Sequence, residues 1–141
     1  MSTQHPISIQ GIDHVVIRAN EIDRLIAFYR DVLNCQLERE VADLGLYQLR
    51  AGAALIDIVD AHGKIGRQSG GPPDSAAANM DHLCVQVAPW DADTIAEHLR
   101  SHGVEPGDVV TRYGANGNGP SIYISDPEGN SVELKGPPDG T

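Results

Sequence analysis

The chain is written twice. Ile12-Asp13-His14-Val15-Val16-Ile17 returns as Met80-Asp81-His82-Leu83-Cys84-Val85, with the two histidines 68 residues apart (82 − 14). A repeat of that period in 141 residues restricts the chain to a duplicated fold in which each copy is too small to bury a core alone. Each copy then runs into an amphipathic segment. From Asn20 to Leu33 the apolar residues Ile22, Leu25, Ile26, Tyr29, Val32 and Leu33 have helical spacing, with Asn20 or Asp23 as N-cap. From Asp91 to His102 the helical face is Ala92, Ile95, Ala96 and Leu99. Thr94 and Glu97 suit a capping box there, and Gly103 a C-terminal stop.

The back halves match at a different offset. Tyr47 answers to Tyr123 and Asp57 to Glu133, both 76 apart (123 − 47; 133 − 57). A strand, a turn and another strand follow each helix, the plainest turn being Asp126-Pro127-Glu128-Gly129-Asn130. The chain therefore reads as two β-α-β-β-like units. The second is eight residues longer (76 − 68), and the Gly/Asn-rich stretch 113–119 is the expected place for the excess, as a loop or a flap over a site. The expected boundaries are an N-terminal extension at 1–8, a first unit at 9–60, a linker or lid rich in Gly, Pro, Ser and Ala at 61–79, a second unit at 80–136 and a tail at 137–141.

Side chains alternate across a strand, so parity assigns faces. Val15 and Ile17 oppose His14, Val16 and Arg18; Leu83 and Val85 oppose His82, Cys84 and Gln86. Ile56 and Ile58 oppose Asp57, and Val132 and Leu134 oppose Glu133. One face is aliphatic and suits packing against helices. The other carries His14, Asp57, His82 and Glu133 at repeat-related positions. Two imidazoles and two carboxylates are donors for a borderline divalent ion such as Zn, Ni, Co, Fe or Mn, and a local two-fold would bring one pair from each half to a shared centre. Taken singly, each histidine also reads as a hydrogen-bonded strand residue and each acid as a sheet-end residue.

Charge narrows the partners. Ten Lys+Arg against twenty Asp+Glu leave a net charge of −10, which argues against phosphate backbones and anionic headgroups. No apolar run approaches the ~20 residues of a membrane span. The N-terminus lacks a basic start and an apolar core, so no signal peptide is expected. Two cysteines, Cys35 and Cys84, form no CxxC and suit a reducing compartment. These features point to a cytoplasmic protein that binds a small molecule.

His14-Val15-Val16-Ile17, Phe28-Tyr29-Arg30-Asp31-Val32-Leu33, and Asp126-Pro127-Glu128-Gly129-Asn130-Ser131-Val132-Glu133-Leu134 resemble the vicinal oxygen chelate superfamily, the group of glyoxalase I, bleomycin-resistance proteins and extradiol dioxygenases. The resemblance covers residues 9–136 and is specific for the fold rather than for a reaction. It implies an α+β fold of two tandem βαβββ modules, a cupped, half-barrel-like mixed sheet with helices on the outer face, usually in a homodimer. It places the metal positions on His14, Asp57, His82 and Glu133. One departure stands out: the position of Asp57 is more often Glu or Gln in the glyoxalases and epimerases. The shorter Asp57 either ligates, ligates through a water, or serves as a supporting group or general base.

The activity this implies is a metal-dependent lyase or isomerase of the glyoxalase or epimerase type. The metal chelates adjacent substrate oxygens and Glu133, as catalytic base, moves a proton through an enediolate. A metal-dependent dioxygenase or a thiol transferase of the fosfomycin-resistance type is an alternative, and a ligand-sequestering protein like the bleomycin-resistance members is another. Tyr47 and Tyr123 are expected on the metal-bearing face, with Arg18 and Lys135 at its rim, as substrate-binding residues. His98 and His102, four apart on a helix, read as a solvated face, and Cys84 as a small buried hydrophobe.

Overall fold

The computed structural model describes residues 5–73 and 79–141. The first unit contains β1 (His14–Ala19), α1 (Ile22–Ala27) continuing into a π-helical turn (Phe28–Val32), β2 (Leu37–Val41), β3 (Leu46–Ala51) and β4 (Ala54–Asp60). A short helix α2 (Lys64–Gln68) follows, inside the expected 61–79 linker, of which residues 74–78 lie outside the described residues. The second unit contains β5 (His82–Gln86), α3 (Ala92–Ser101), β6 (Val110–Gly114), β7 (Gly117–Ser125) and β8 (Ser131–Lys135).

Each unit folds into a four-stranded mixed sheet, ordered β1-β4-β3-β2 and β5-β8-β7-β6. The first and last strands pair in parallel because the helix lies between them as a crossover, and the remaining strands are antiparallel hairpins. Neither sheet closes. The parity reading holds for the aliphatic face: Ile17, Ile56, Ile58, Ile122, Ile124, Val132 and Leu134 are all buried. They form one continuous cluster with Leu25, Ile26, Phe28 and Tyr29 of the first helical segment and Leu99 of α3. Both sheets thus turn their apolar faces into a common core, and their polar faces look away from it.

The helix ends depart from expectation. Neither Asn20 nor Asp23 caps α1; Glu21 occupies the cap position without a side-chain cap bond. The carboxylate of Glu128, in the β7–β8 turn, instead accepts from Asn20 N (3.0 Å) and Glu21 N (2.7 Å). The donors ahead of the helix are satisfied from the other unit, which local sequence cannot show. On α3 the cap is Asp91, whose side chain accepts from Thr94 N at 3.1 Å, rather than a Thr94/Glu97 box. Gly103 ends that helix as expected, with φ +74°.

The stretch 113–119 is no loop. Gly114 and Gly117 pair across a tight turn at Ala115-Asn116, and β6 and β7 continue from it as a hairpin. The longer connection comes earlier: residues 102–109 join α3 to β6, where 33–36 suffice in the first unit.

The two units are stitched by the turn at 126–130. Tyr29 Oη donates to Asp126 Oδ2 at 2.8 Å, while Asp126 also accepts from Asn130 N (2.9 Å), Asn130 Nδ2 (2.9 Å) and Glu128 N (2.9 Å). A wide cleft of about 830 Å³ runs along this seam past Arg24, Phe28, His102 and Asp126, and its walls include none of His14, Asp57, His82 and Glu133.

Candidate metal centre

The four expected ligands emerge as two matching pairs, one on each polar face. In the parallel register Val16 lies opposite Asp57 and Cys84 opposite Glu133, so each acid sits one strand over and two residues on from its histidine. The histidines are half-exposed, whereas Asp57 and Glu133 are 4% and 5% exposed. His82 Nε2 lies 3.4 Å from Glu133 Oε1.

Each imidazole is oriented by the residue before it. His14 Nδ1 lies 2.6 Å from Asp13 Oδ1, and His82 Nδ1 lies 2.7 Å from Asp81 Oδ1. A carboxylate on Nδ1 leaves Nε2 as the nitrogen available to a metal, the usual support of a metal-ligating histidine; in His82 that nitrogen faces Glu133. The hydrogen bond that His14 Nδ1 donates to Asp13, and then the charge of Asp57, raise the His14 pKa above its ordinary value. Asp13 and Asp81 were not among the expected site residues, although the doubled Asp-His dipeptide carried the signal.

The two carboxylates differ in what holds them. Each oxygen of Glu133 has a donor: Ser121 Oγ donates to Oε2 at 2.6 Å and Tyr123 Oη to Oε1 at 3.0 Å. Burial pushes its carboxyl up, but these hydroxyls, with His82 and Arg112, more than offset that and leave it below the ordinary glutamate range. Asp57 accepts a single bond from Gln48 Nε2 (3.2 Å), and Gln48 Oε1 is held by Arg39 Nη1 (2.9 Å). Its other oxygen, Oδ1, is buried with no hydrogen-bond partner among the described residues. A buried carboxylate oxygen without a donor costs on the order of 1–3 kcal/mol or more, which a bound cation would relieve. This orphan oxygen and the available Nε2 of His14 are the observations that fit the site to a divalent ion.

The expected substrate-binding residues scatter. Tyr123 lies on the polar face of its sheet, with His82 and Glu133, its ring 5.5 Å from His82 edge-on. Tyr47 does not: it pairs with Ile58 and packs against the core, and Gln48 pairs with Asp57 in its place. The cause is one residue. Ala51 and Ala54 close the β3–β4 hairpin around Gly52-Ala53, whereas Ser125 and Ser131 close the other around 126–130. Gln48 therefore precedes Asp57 by nine positions and Tyr123 precedes Glu133 by ten, and a slip of one exchanges the faces.

Arg18 and Lys135 are not free rim cations. Arg18 Nη1 donates to the carbonyls of Ser69 (3.1 Å) and Gly71 (2.9 Å), tying down the segment after α2. Lys135 is buried, and Nζ donates to Arg112 O (2.6 Å) and Gly119 O (3.2 Å). Cys84 is exposed on the polar face rather than buried, and partial desolvation of its thiol, followed by the charge of Glu133, raises its pKa. His98 Nε2 lies 2.8 Å from Val32 O, joining α3 to the π-helical turn.

Among the described residues no three His, Cys, Asp or Glu side chains come together closely enough to hold a metal. The four residues expected at one shared centre thus lie as two separate His/acid pairs, on faces that point away from a common core.

This architecture, with its doubled His/acid pairs, is that of a known class. The chain belongs to the Glyoxalase/Bleomycin resistance protein/Dioxygenase superfamily, whose model matches residues 11–134. It is 30% identical over 134 residues to the glyoxalase domain-containing protein RDO1 of Mycosarcoma maydis, covering 93% of this chain and 70% of that protein. The crystal structure of virulence protein STM3117 from Salmonella typhimurium superposes with a TM-score of 0.75 at 26% identity, over 93% of this chain and 99% of that one. Lactoylglutathione lyase from Agrobacterium tumefaciens shares the fold, with a TM-score of 0.64 at 23% identity over 92% and 95% of the two chains. So does TnmS3, an antibiotic-binding protein from Streptomyces, with a TM-score of 0.68 at 15% identity over 93% and 98%.

Proposed function

We propose that this chain is a divalent-metal-dependent lyase or isomerase of the glyoxalase type, and that its centres form between two copies. The orphan Asp57 Oδ1 beside a His14 oriented by Asp13 carries this reading. His14 and Asp57 of one copy would meet His82 and Glu133 of the other, completing a four-donor set that the single chain holds only in halves. Apolar exposure supports a covered face: Val16, between His14 and Arg18, is 48% exposed, and Ile7, Ile9 and Ile12 just ahead of β1 are 68%, 82% and 73% exposed.

A bound divalent ion would supply Lewis-acid polarisation of two adjacent substrate oxygens, which makes the neighbouring C–H acidic. The chain's own residues do the rest. Glu133 is held as a carboxylate by Ser121 and Tyr123 and accepts the substrate proton. Tyr123 and Ser121 fix the carboxylate's position and donate to it, which tempers its basicity until substrate arrives. Asp57, fixed through Gln48 and Arg39, stays a ligand and leaves the proton work to Glu133.

Metal content of tag-free protein, compared with a His14→Ala/His82→Ala variant, tests the site. Near-stoichiometric metal that the double variant lacks is the expected result. Absence of metal, with no thermal stabilisation by Ni, Co, Zn, Fe or Mn ions, would sink the reading and leave a ligand-binding fold. Assembly across copies is tested by mixing His14→Ala and His82→Ala chains after dissociation. Random pairing restores about a quarter of the wild-type sites, because half of the dimers carry one intact centre. Sites built within one chain regain none.

A further inference from the structure

The second half-set carries a cation that no acid claims. Arg112 sits on β6, the edge strand of its sheet. Val110 pairs with Ser121, so Arg112 shares the face of Ser121, Tyr123 and Glu133. Its guanidinium lies 5.0 Å from the centroid of the Tyr123 ring, and Tyr123 donates to Glu133. A cation–π contact of this kind consumes none of the guanidinium N–H donors, and no acceptor for them is found among the described residues.

In a chain with twice as many acids as bases, an unclaimed arginine needs a reason. Arg24, Arg30 and Arg50 are paired with Glu21, Asp31 and Glu38. Arg18 and Lys135 are spent on backbone carbonyls. Among the described residues Arg112, like Arg39, Arg67 and Arg100, has no carboxylate partner, but of these it is the one close enough to Glu133 to help depress that carboxyl. It is held, exposed and charged, beside the group that takes the proton.

We propose that Arg112 is a specificity-determining residue that binds an oxyanion substituent, a carboxylate or phosphate, on a substrate whose adjacent oxygens face the metal. This rests on the metal-centre reading above. The planar edge of the guanidinium matches either oxyanion in a two-pronged contact. It also offsets the repulsion an anion would meet from Asp13, Asp57, Asp81 and Glu133. Arg112 takes the role that Arg18 and Lys135 were expected to fill.

Hydroxamates present two adjacent oxygens to a metal and serve as probes. Cobalt-loaded protein is titrated with acetohydroxamate, succinate monohydroxamate and phosphonoacetohydroxamate, and binding is followed by the visible cobalt spectrum. The wild type binds an anionic probe about tenfold or more tighter than acetohydroxamate, and the advantage shrinks with added salt. Arg112→Gln loses the advantage while keeping its affinity for acetohydroxamate, and Arg112→Lys keeps part of it. The tighter of the two anionic probes identifies the oxyanion. Equal binding of all three probes by the wild type, or an advantage that survives in Arg112→Gln, overturns the proposal. A wild type that takes up no cobalt refutes the metal centre itself, and the Arg112 assignment falls with it; a cobalt spectrum that none of the three probes moves overturns the Arg112 assignment alone.

Discussion

Tyr29 and Asp126, 97 residues apart, form a buried 2.8 Å hydrogen bond that locks the π-helical turn of the first unit onto the β7–β8 turn of the second. Burial, and then the neighbouring Asp126 charge, push the Tyr29 hydroxyl far above the ordinary tyrosine range, so it remains a donor at every working pH. Tyr29→Phe leaves a buried carboxylate oxygen short of one donor. The expected loss is about 1–3 kcal/mol of unfolding free energy by denaturant titration, with metal content per folded chain unchanged.

Glu128 binds the amides ahead of α1 from across the unit boundary. Glu128→Ala removes both acceptors and should cost about 1 kcal/mol, as loss of a helix cap does. Glu128→Gln keeps one acceptor oxygen and should fall between the two. Hydrogen exchange of the Asn20 and Glu21 amides reports the change directly, and unchanged protection in Glu128→Ala would count against the cap.

Gln48 and Tyr47 are neighbours with opposite fates. Gln48→Leu leaves Asp57 without its donor and should weaken metal binding about 10–100-fold, as loss of groups that orient a ligand does. Tyr47→Leu alters only packing against the core, so it should lower the melting temperature without changing metal affinity. A metal titration of both variants separates them, and the reverse pattern would refute the register.

Gly66 leaves no room for a side chain. A Cβ there would lie 2.2 Å from Asp60 O and 2.5 Å from Ala61 Cα, both backbone atoms that cannot yield cheaply. Gly66→Ala should destabilise by about 1–3 kcal/mol, the range of overpacking. It should also loosen the segment at Ser69 and Gly71 that Arg18 holds. Limited proteolysis after residue 64 reads this out.

The two thiols should separate kinetically. Cys35 is buried and Cys84 is exposed on the polar face, and both thiols are pushed above the ordinary cysteine range, so access rather than thiolate content separates them. Iodoacetamide should modify Cys84 in the native protein and Cys35 only on unfolding, as peptide mass mapping would show.

The doubled Asp-His strands and the strand parity determined the fold and which faces of the strands are apolar and which polar, because alternation and helical period are local properties that burial reinforces in every copy. The same periodicity set His14, Asp57, His82 and Glu133 on the polar faces of their strands, each acid two residues on from its histidine in the parallel register. Three things waited for the tertiary structure. The face of Tyr47 hung on one residue of hairpin length, and parity counted across a turn cannot detect that slip. The capping of α1 by Glu128 and the spending of Arg18 and Lys135 on carbonyls join residues 16 to 108 positions apart, where sequence carries no distance information. The division of the ligands into two half-sets followed from both apolar faces entering one core, and that depends on how the sheets pack rather than on what each strand contains.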